Sequence, residues 1–122
     1  MELRIKNICN AGDIERECIE LFVNFPVNLK NFMISDHSFH RIHNNKSNRI
    51  FWFPELNVRS GATIKLHTRC GRNEYTGLID IFWNLDEPLW KNKFATAYLI
   101  KIDNYCIFPE IKNCMDTLFS SD

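Results

Sequence analysis

The sequence predicts an all-β sandwich, and three observations carry that prediction. Apolar and polar residues alternate over short runs, turn residues punctuate the chain between those runs, and strand and helix patterning never alternate as a parallel βαβ fold would require. The 122 residues fit one domain, and a chain of this size buries about two-thirds of the surface it exposes when unfolded. Hydrophobic residues make up 45% and charged residues 25%, which excludes a disordered or fibrous chain.

Each element follows from its own pattern. Leu3, Ile5 and Ile8 among charged residues give a first strand. Asn10-Ala11-Gly12-Asp13 is a turn, because Gly and Asn tolerate positive φ and Asp can bond its own downstream backbone. From Cys18 to Val23 a strand places Ile19, Leu21 and Val23 on one face and Cys18, Glu20 and Phe22 on the other. Pro26 stops the ladder, since it offers no N–H. Leu29 to Ser35 resumes it, with Phe32 and Ile34 on one face and Met33 on the other.

The polar stretch from His37 to Arg49 reads as a hairpin, with Phe39 to His43 going out and Ile50 to Phe53 coming back until Pro54. Arg59-Ser60-Gly61 is another turn, and from Ala62 to Arg69 the alternation is the cleanest in the chain. Cys70 to Gly77 is a loop, Leu78 to Trp83 a strand, Asn84 to Pro88 a loop and Thr96 to Ile102 a strand. Asp103-Asn104 supplies the turn of a final hairpin running on from Tyr105 to Phe108. After Pro109, the segment from Glu110 to Phe119 fits a short helix with Ile111, Met115 and Leu118 on one side. The expected architecture is therefore an immunoglobulin-like β-sandwich of two antiparallel sheets over residues 1–109, with 110–122 as a C-terminal extension carrying a short helix.

Charge and processing signals bound the function. Lys+Arg 15 cancels Asp+Glu 15, so no uniform basic surplus exists for holding a polyanion or an anionic membrane. No run approaches the roughly 18 apolar residues of a membrane span. The start, Met1-Glu2-Leu3-Arg4-Ile5-Lys6, alternates where a signal peptide would be continuously apolar. The expected location is intracellular, cytoplasm and nucleus being equally compatible, or the chain is a domain cut from a longer one. Cys9, Cys18, Cys70, Cys106 and Cys114 show no CxxC spacing and read as small hydrophobes kept as free thiols.

The order of motifs resembles the lamin tail domain, an immunoglobulin-like sandwich found at the end of nuclear intermediate-filament proteins and in varied other proteins. The opening pattern of that family looks like Gly12, Glu17, Ile19-Glu20-Leu21 and then Val27 to Asp36. Its middle looks like Phe53-Pro54, Ser60-Gly61 and Ala62-Thr63-Ile64-Lys65-Leu66. Its end looks like Trp90-Lys91-Asn92, Thr96-Ala97-Tyr98-Leu99 and Asp103-Asn104. The resemblance spans Leu3 to about Phe108. It departs at Asn31, Phe94-Ala95 and Asn104, where the family has glycine; Asn is the residue best able to replace glycine in a left-handed backbone. The resemblance implies a binding domain, with chromatin attachment as one of its roles. These residues carry no long heptad rod like that of filament lamins, so they are not expected to build such a filament by themselves.

Two sets of residues stand out as candidate sites. Lys65, His67 and Arg69 share one strand face, and with Arg59 and Arg72 at its ends they form a local basic strip suited to phosphate or an acidic partner. The competing account is a solvated strand face whose charges prevent aggregation. The aromatics are the larger surplus: Phe 10, Trp 3 and Tyr 3 are many for one small sandwich. Phe22, Trp52 and Trp83 lie on strands with aromatics on both faces, which leaves either a helix to cover them or a surface for a partner.

Other constellations carry less. His37, His40 and His43 recur beside Asp36, but in a strand the middle one faces away from its neighbours, so a metal site is not expected. Asp13, Glu15, Glu17 and Glu20 read as a solvated acidic rim. Ser38 and Cys70 lack the neighbours of an activated nucleophile. No catalytic residue, cofactor or metal is therefore expected. The sequence favours a non-enzymatic scaffolding module that recognises a protein partner, itself included, through an aromatic-rich face or an edge strand. The alternative is nucleic-acid or chromatin attachment through Arg59, Lys65, His67, Arg69 and Arg72.

Overall fold

In the computed structural model, residues 1–36, 49–90, 96–106 and 108–109 are described. They form strands β1 (Leu3–Cys9), β2 (Cys18–Val23), β3 (Val27–Asn28), β4 (Phe32–Ser35), β5 (Ile50–Trp52), β6 (Asn57–Val58), β7 (Thr63–His67), β8 (Ile79–Phe82) and β9 (Tyr98–Lys101), with a 3₁₀ turn at Leu29–Asn31. A four-stranded sheet in the order β1-β2-β7-β8 faces a three-stranded sheet in the order β5-β4-β9, and β3 pairs with β6 as a two-stranded ribbon. The chain is thus an all-β sandwich. The expected C-terminal helix and the outgoing arm of the hairpin at Phe39 to His43 lie outside the described residues.

The period-two pattern accounts for the core. Ile19, Leu21 and Val23 from β2, Ile64 and Leu66 from β7 and Ile79 and Ile81 from β8 meet Phe32 and Ile34 from β4, with Phe53, Leu29 and Trp90 closing the ends. Removing each such aliphatic side chain from water contributes about 1.5–3 kcal/mol. In β1, Leu3, Ile5 and Ile8 all belong to this core or pack against it, although the last spacing is odd. A bulge between Ile5 and Asn7 shifts the register from Ile5↔Leu21 to Asn7↔Glu20 and Ile8↔Ile19. One extra residue thus returns Ile8 to the inner face.

Four features depart from the sequence reading. First, β7 and β8 pair in parallel, so the larger sheet is mixed rather than purely antiparallel. The segment after β7 loops round and lays Glu74 against the far side of β8, where Glu74 and Asp80 exchange two backbone hydrogen bonds of 2.9 Å. Second, the stretch read as one strand from Leu29 begins as a 3₁₀ turn. The Asn28 side-chain oxygen accepts the backbone N–H of Lys30 at 3.0 Å and of Leu56 at 3.2 Å, which holds that turn against the β3–β6 ribbon. Third, residues 103–106 form no return strand. Fourth, among the described residues the asparagines in the left-handed region are Asn10 and Asn84, with φ of 53° and 65°, and not Asn31 or Asn104. Among the described residues no helix is long and apolar enough to cross a membrane.

Candidate functional site

The two outer faces of the sandwich are chemically opposite, and strand register makes them so. On the four-stranded sheet, the outward positions place Glu20 opposite Lys65 and Lys65 opposite Asp80. Lys6 from the β1 bulge reaches Glu20 at 3.3 Å, and His67 Nε2 lies 2.9 Å from Asp80 Oδ1. Two aromatic rings, Phe22 and Phe82, also lie on this face. The His67 imidazole stacks on Phe82 with centroids 4.7 Å apart, the Arg69 guanidinium sits 5.0 Å from the same ring, and Arg4 sits 5.0 Å from Phe22. Such stacking suits a cation, because the ring face carries negative charge density.

A groove of about 360 Å³ opens at the end of this face, between His67, Arg69, Arg72, Glu74, Asp80 and Phe82. Its floor depends on a glycine. A Cβ on Gly71 would stand 2.5 Å from Phe82 Cδ2 and Cε2, so the loop approaches the ring only because position 71 has no side chain. Two guanidinium groups and two carboxylates line the groove, and their charges cancel. The basic strip expected from the sequence therefore exists as geometry, with Lys65, His67 and Arg69 side by side, but acidic residues interleave it. Arg59 stands apart, in the turn before β7.

On the three-stranded sheet, the outward positions are nearly all apolar. Trp52, Met33 and Ile100 form one cross-strand row, and Ile50, Ser35 and Tyr98 form the next. Ile50, Trp52 and Tyr98 are exposed at 44%, 46% and 38%, whereas Ser35 at the centre is buried. Tyr105 follows β9 and meets the Trp52 ring edge to face at 5.1 Å. The indole N–H of Trp52 donates to the Lys30 carbonyl at 2.5 Å, which fixes the ring's orientation while leaving one side in solvent. Beside this face, Lys30 pairs with Glu55 at 3.6 Å, whereas Lys101, in register with the core residue Phe32, pairs with Glu2 at 3.1 Å and so joins the end of β9 to the start of β1. Lys101 holds the Glu2 carboxyl below the ordinary glutamate range.

The three aromatics singled out in the sequence are not brought together. Trp52 lies on the apolar face and Phe22 on the charged face beneath Arg4. Trp83, at the end of β8, turns inward, is half-buried against the core and meets Phe51 at 5.5 Å. The residues the sequence reading missed are Ile50, Tyr98 and Tyr105. Their signal was available, since Ile50 and Trp52 share a face by alternation, but only strand order reveals that Tyr98 stands beside them.

The edges are managed as well. Lys6 and its bulge mark the β1 edge, features that discourage pairing with another chain, and Glu74 covers part of the β8 edge. Among the described residues, no group of three or more His, Cys, Asp or Glu side chains is placed to hold a metal ion. The His37, His40 and His43 series lies outside those residues.

Glu17 requires a correction. Instead of joining an acidic rim, it is fully buried. Its Oε1 accepts the backbone N–H groups of Gly12 at 2.9 Å and Trp90 at 3.1 Å. Its Oε2 accepts the Thr68 hydroxyl at 2.5 Å and the Leu89 N–H at 2.9 Å. One carboxylate thereby ties the β1–β2 turn, the end of β7 and the segment before residue 91 into one corner. These four donors identify Glu17 as structural, because they occupy the oxygens a ligand would need. Neither a family model nor a curated protein matches the chain in sequence.

Proposed function

We propose that this chain is a non-enzymatic, lamin-tail-like binding module that recognises a protein partner through the apolar face of its three-stranded sheet. The observation that carries the reading is the contrast between the two outer faces. One is a charge-compensated lattice. The other presents Ile50, Trp52, Tyr98 and Tyr105 to solvent around an indole already held in place. A prefixed aromatic is a good anchor, because little side-chain freedom remains to be lost on binding. The matching partner surface is apolar at its centre, with polar groups at the rim to meet Lys30 and Glu55.

The sequence resemblance to the lamin tail domain supports a binding role and an immunoglobulin-like reading of the sandwich, but as a fold-level analogy it does not identify the partner. Nucleic-acid attachment is the weaker reading, because Glu20, Asp80 and Glu74 stand among the cations a phosphate backbone would need. The test is affinity capture from the native cell with three forms of the chain: unaltered, Ile50→Asp with Trp52→Ala, and Lys65→Glu with Arg69→Glu. A protein retained by the first and third and lost from the second supports the proposal. Loss from the third alone overturns it.

A further inference from the structure

A second chemistry is built into the charged face. Cys9, the last residue of β1, and Cys18, the first of β2, are direct cross-strand partners at the closed end of their hairpin. Residues directly opposite in an antiparallel ladder project to the same face with Cα atoms about 4.5–5.5 Å apart. A disulfide spans Cα separations of about 4.4–6.8 Å. We propose that Cys9 and Cys18 are a disulfide-forming pair, closed by a low-molecular-weight disulfide of the glutathione type. Both are free thiols in this structure, Cys18 buried and Cys9 half-buried, so the outer thiol is the point of entry.

The chemistry proceeds in two exchanges. Cys9 Sγ, as its thiolate, attacks one sulfur of the oxidant. The oxidant's S–S bond breaks, a Cys9 mixed disulfide forms and the departing thiolate takes up a proton as the first free thiol. Cys18 then gives up its proton, its sulfur attacks Cys9 Sγ, and the second thiol leaves. Two protein thiols are oxidised and one oxidant disulfide is reduced to two thiols.

Burial, and then the neighbouring Cys9, push the Cys18 thiol up to about 11. Cys18 is therefore unreactive alone and responds only after Cys9 has been activated beside it. The exposed thiols Cys70 and Cys106 hold no such cross-strand position. The new bond would close the loop at residues 10–17, which carries Glu17 to its buried donors.

The test treats the full chain, in a Cys70→Ser, Cys106→Ser, Cys114→Ser background, with oxidised glutathione and compares it with the same chain carrying Cys9→Ser. The expected product has lost two hydrogens, yields a Cys9–Cys18 linked peptide on non-reducing digestion, and melts on the order of 5–10 °C higher until reduced. The Cys9→Ser chain should form no link. Stable accumulation of glutathione on Cys9 with no loss to Cys18 would overturn the proposal. If the serine background does not fold, peptide mapping of the oxidised wild-type chain decides instead: a Cys9–Cys18 link supports it, and Cys9 or Cys18 linked only to other partners overturns it.

Discussion

The Thr68 hydroxyl donates to the Glu17 carboxylate at 2.5 Å across the same end of the antiparallel β2–β7 pair, although the two residues lie 51 positions apart in the chain. The Thr68 backbone N–H also donates to the Glu17 carbonyl at 3.3 Å, so the pair is joined twice. This corner sets the position of Leu89 and Trp90, which close the core.

Glu17→Ala should therefore destabilise the fold by about 3 kcal/mol or more, since it leaves several buried donors without an acceptor. Glu17→Gln should also destabilise it, because either amide orientation turns an NH₂ towards two donors. Thr68→Val should cost about 2 kcal/mol, one charge-assisted hydrogen bond with shape nearly kept. Urea denaturation of the three variants checks the order. Equal stability of Glu17→Gln and the unaltered chain would exclude the fourfold acceptor role.

Gly71→Ala should force the Phe82 ring to move, because the added Cβ would meet it at 2.5 Å. A loss of about 1–3 kcal/mol is expected from such overpacking. Phe82→Leu should recover part of it in the double variant, and a thermal melt of the four proteins measures the coupling.

Alkaline pH provides a separate check. The Cys18 thiol titrates near 9.0 when unfolded and is held up to about 11 when folded, chiefly by burial. A raised folded value means the contribution is complete below about pH 9 and is lost as pH climbs towards 11. Stability measured across that window should fall, and Cys18→Ala should flatten the fall. An unchanged slope would show that another group governs it.

The sandwich was legible where alternation alone decides the matter. Ile19, Leu21 and Val23, and likewise Ile64 and Leu66, announce which face is buried. Pairing direction was not legible, because β7 and β8 would show the same period in a parallel or an antiparallel ladder. Nor was Glu17, whose acidic neighbours Asp13, Glu15 and Glu20 suggest a wet rim, while the donors that bury it come from residues up to 73 positions away. The basic strip was visible in β7 alone, but the acids that compensate it stand on β2 and β8. The candidate face was half-visible for the same reason: Trp52 stood out by residue type, and Tyr98 and Tyr105 joined it only through the fold.

Duplex DNA offered at low ionic strength should not bind measurably, since counterion release requires unpaired cations. A fluorescence-anisotropy titration checks this. Binding that disappears on Lys65→Glu with Arg69→Glu would move the functional surface to the four-stranded sheet.

The most direct measurement is calorimetric titration of the captured protein partner against the unaltered chain, Trp52→Ala, and Lys65→Glu with Arg69→Glu. Trp52→Ala should weaken binding by roughly tenfold or more, the effect of losing an aromatic anchor, and the charge variant should stay within about twofold, as expected for cations outside the contact. Full affinity in Trp52→Ala with loss in the charge variant would contradict the assignment of the apolar face.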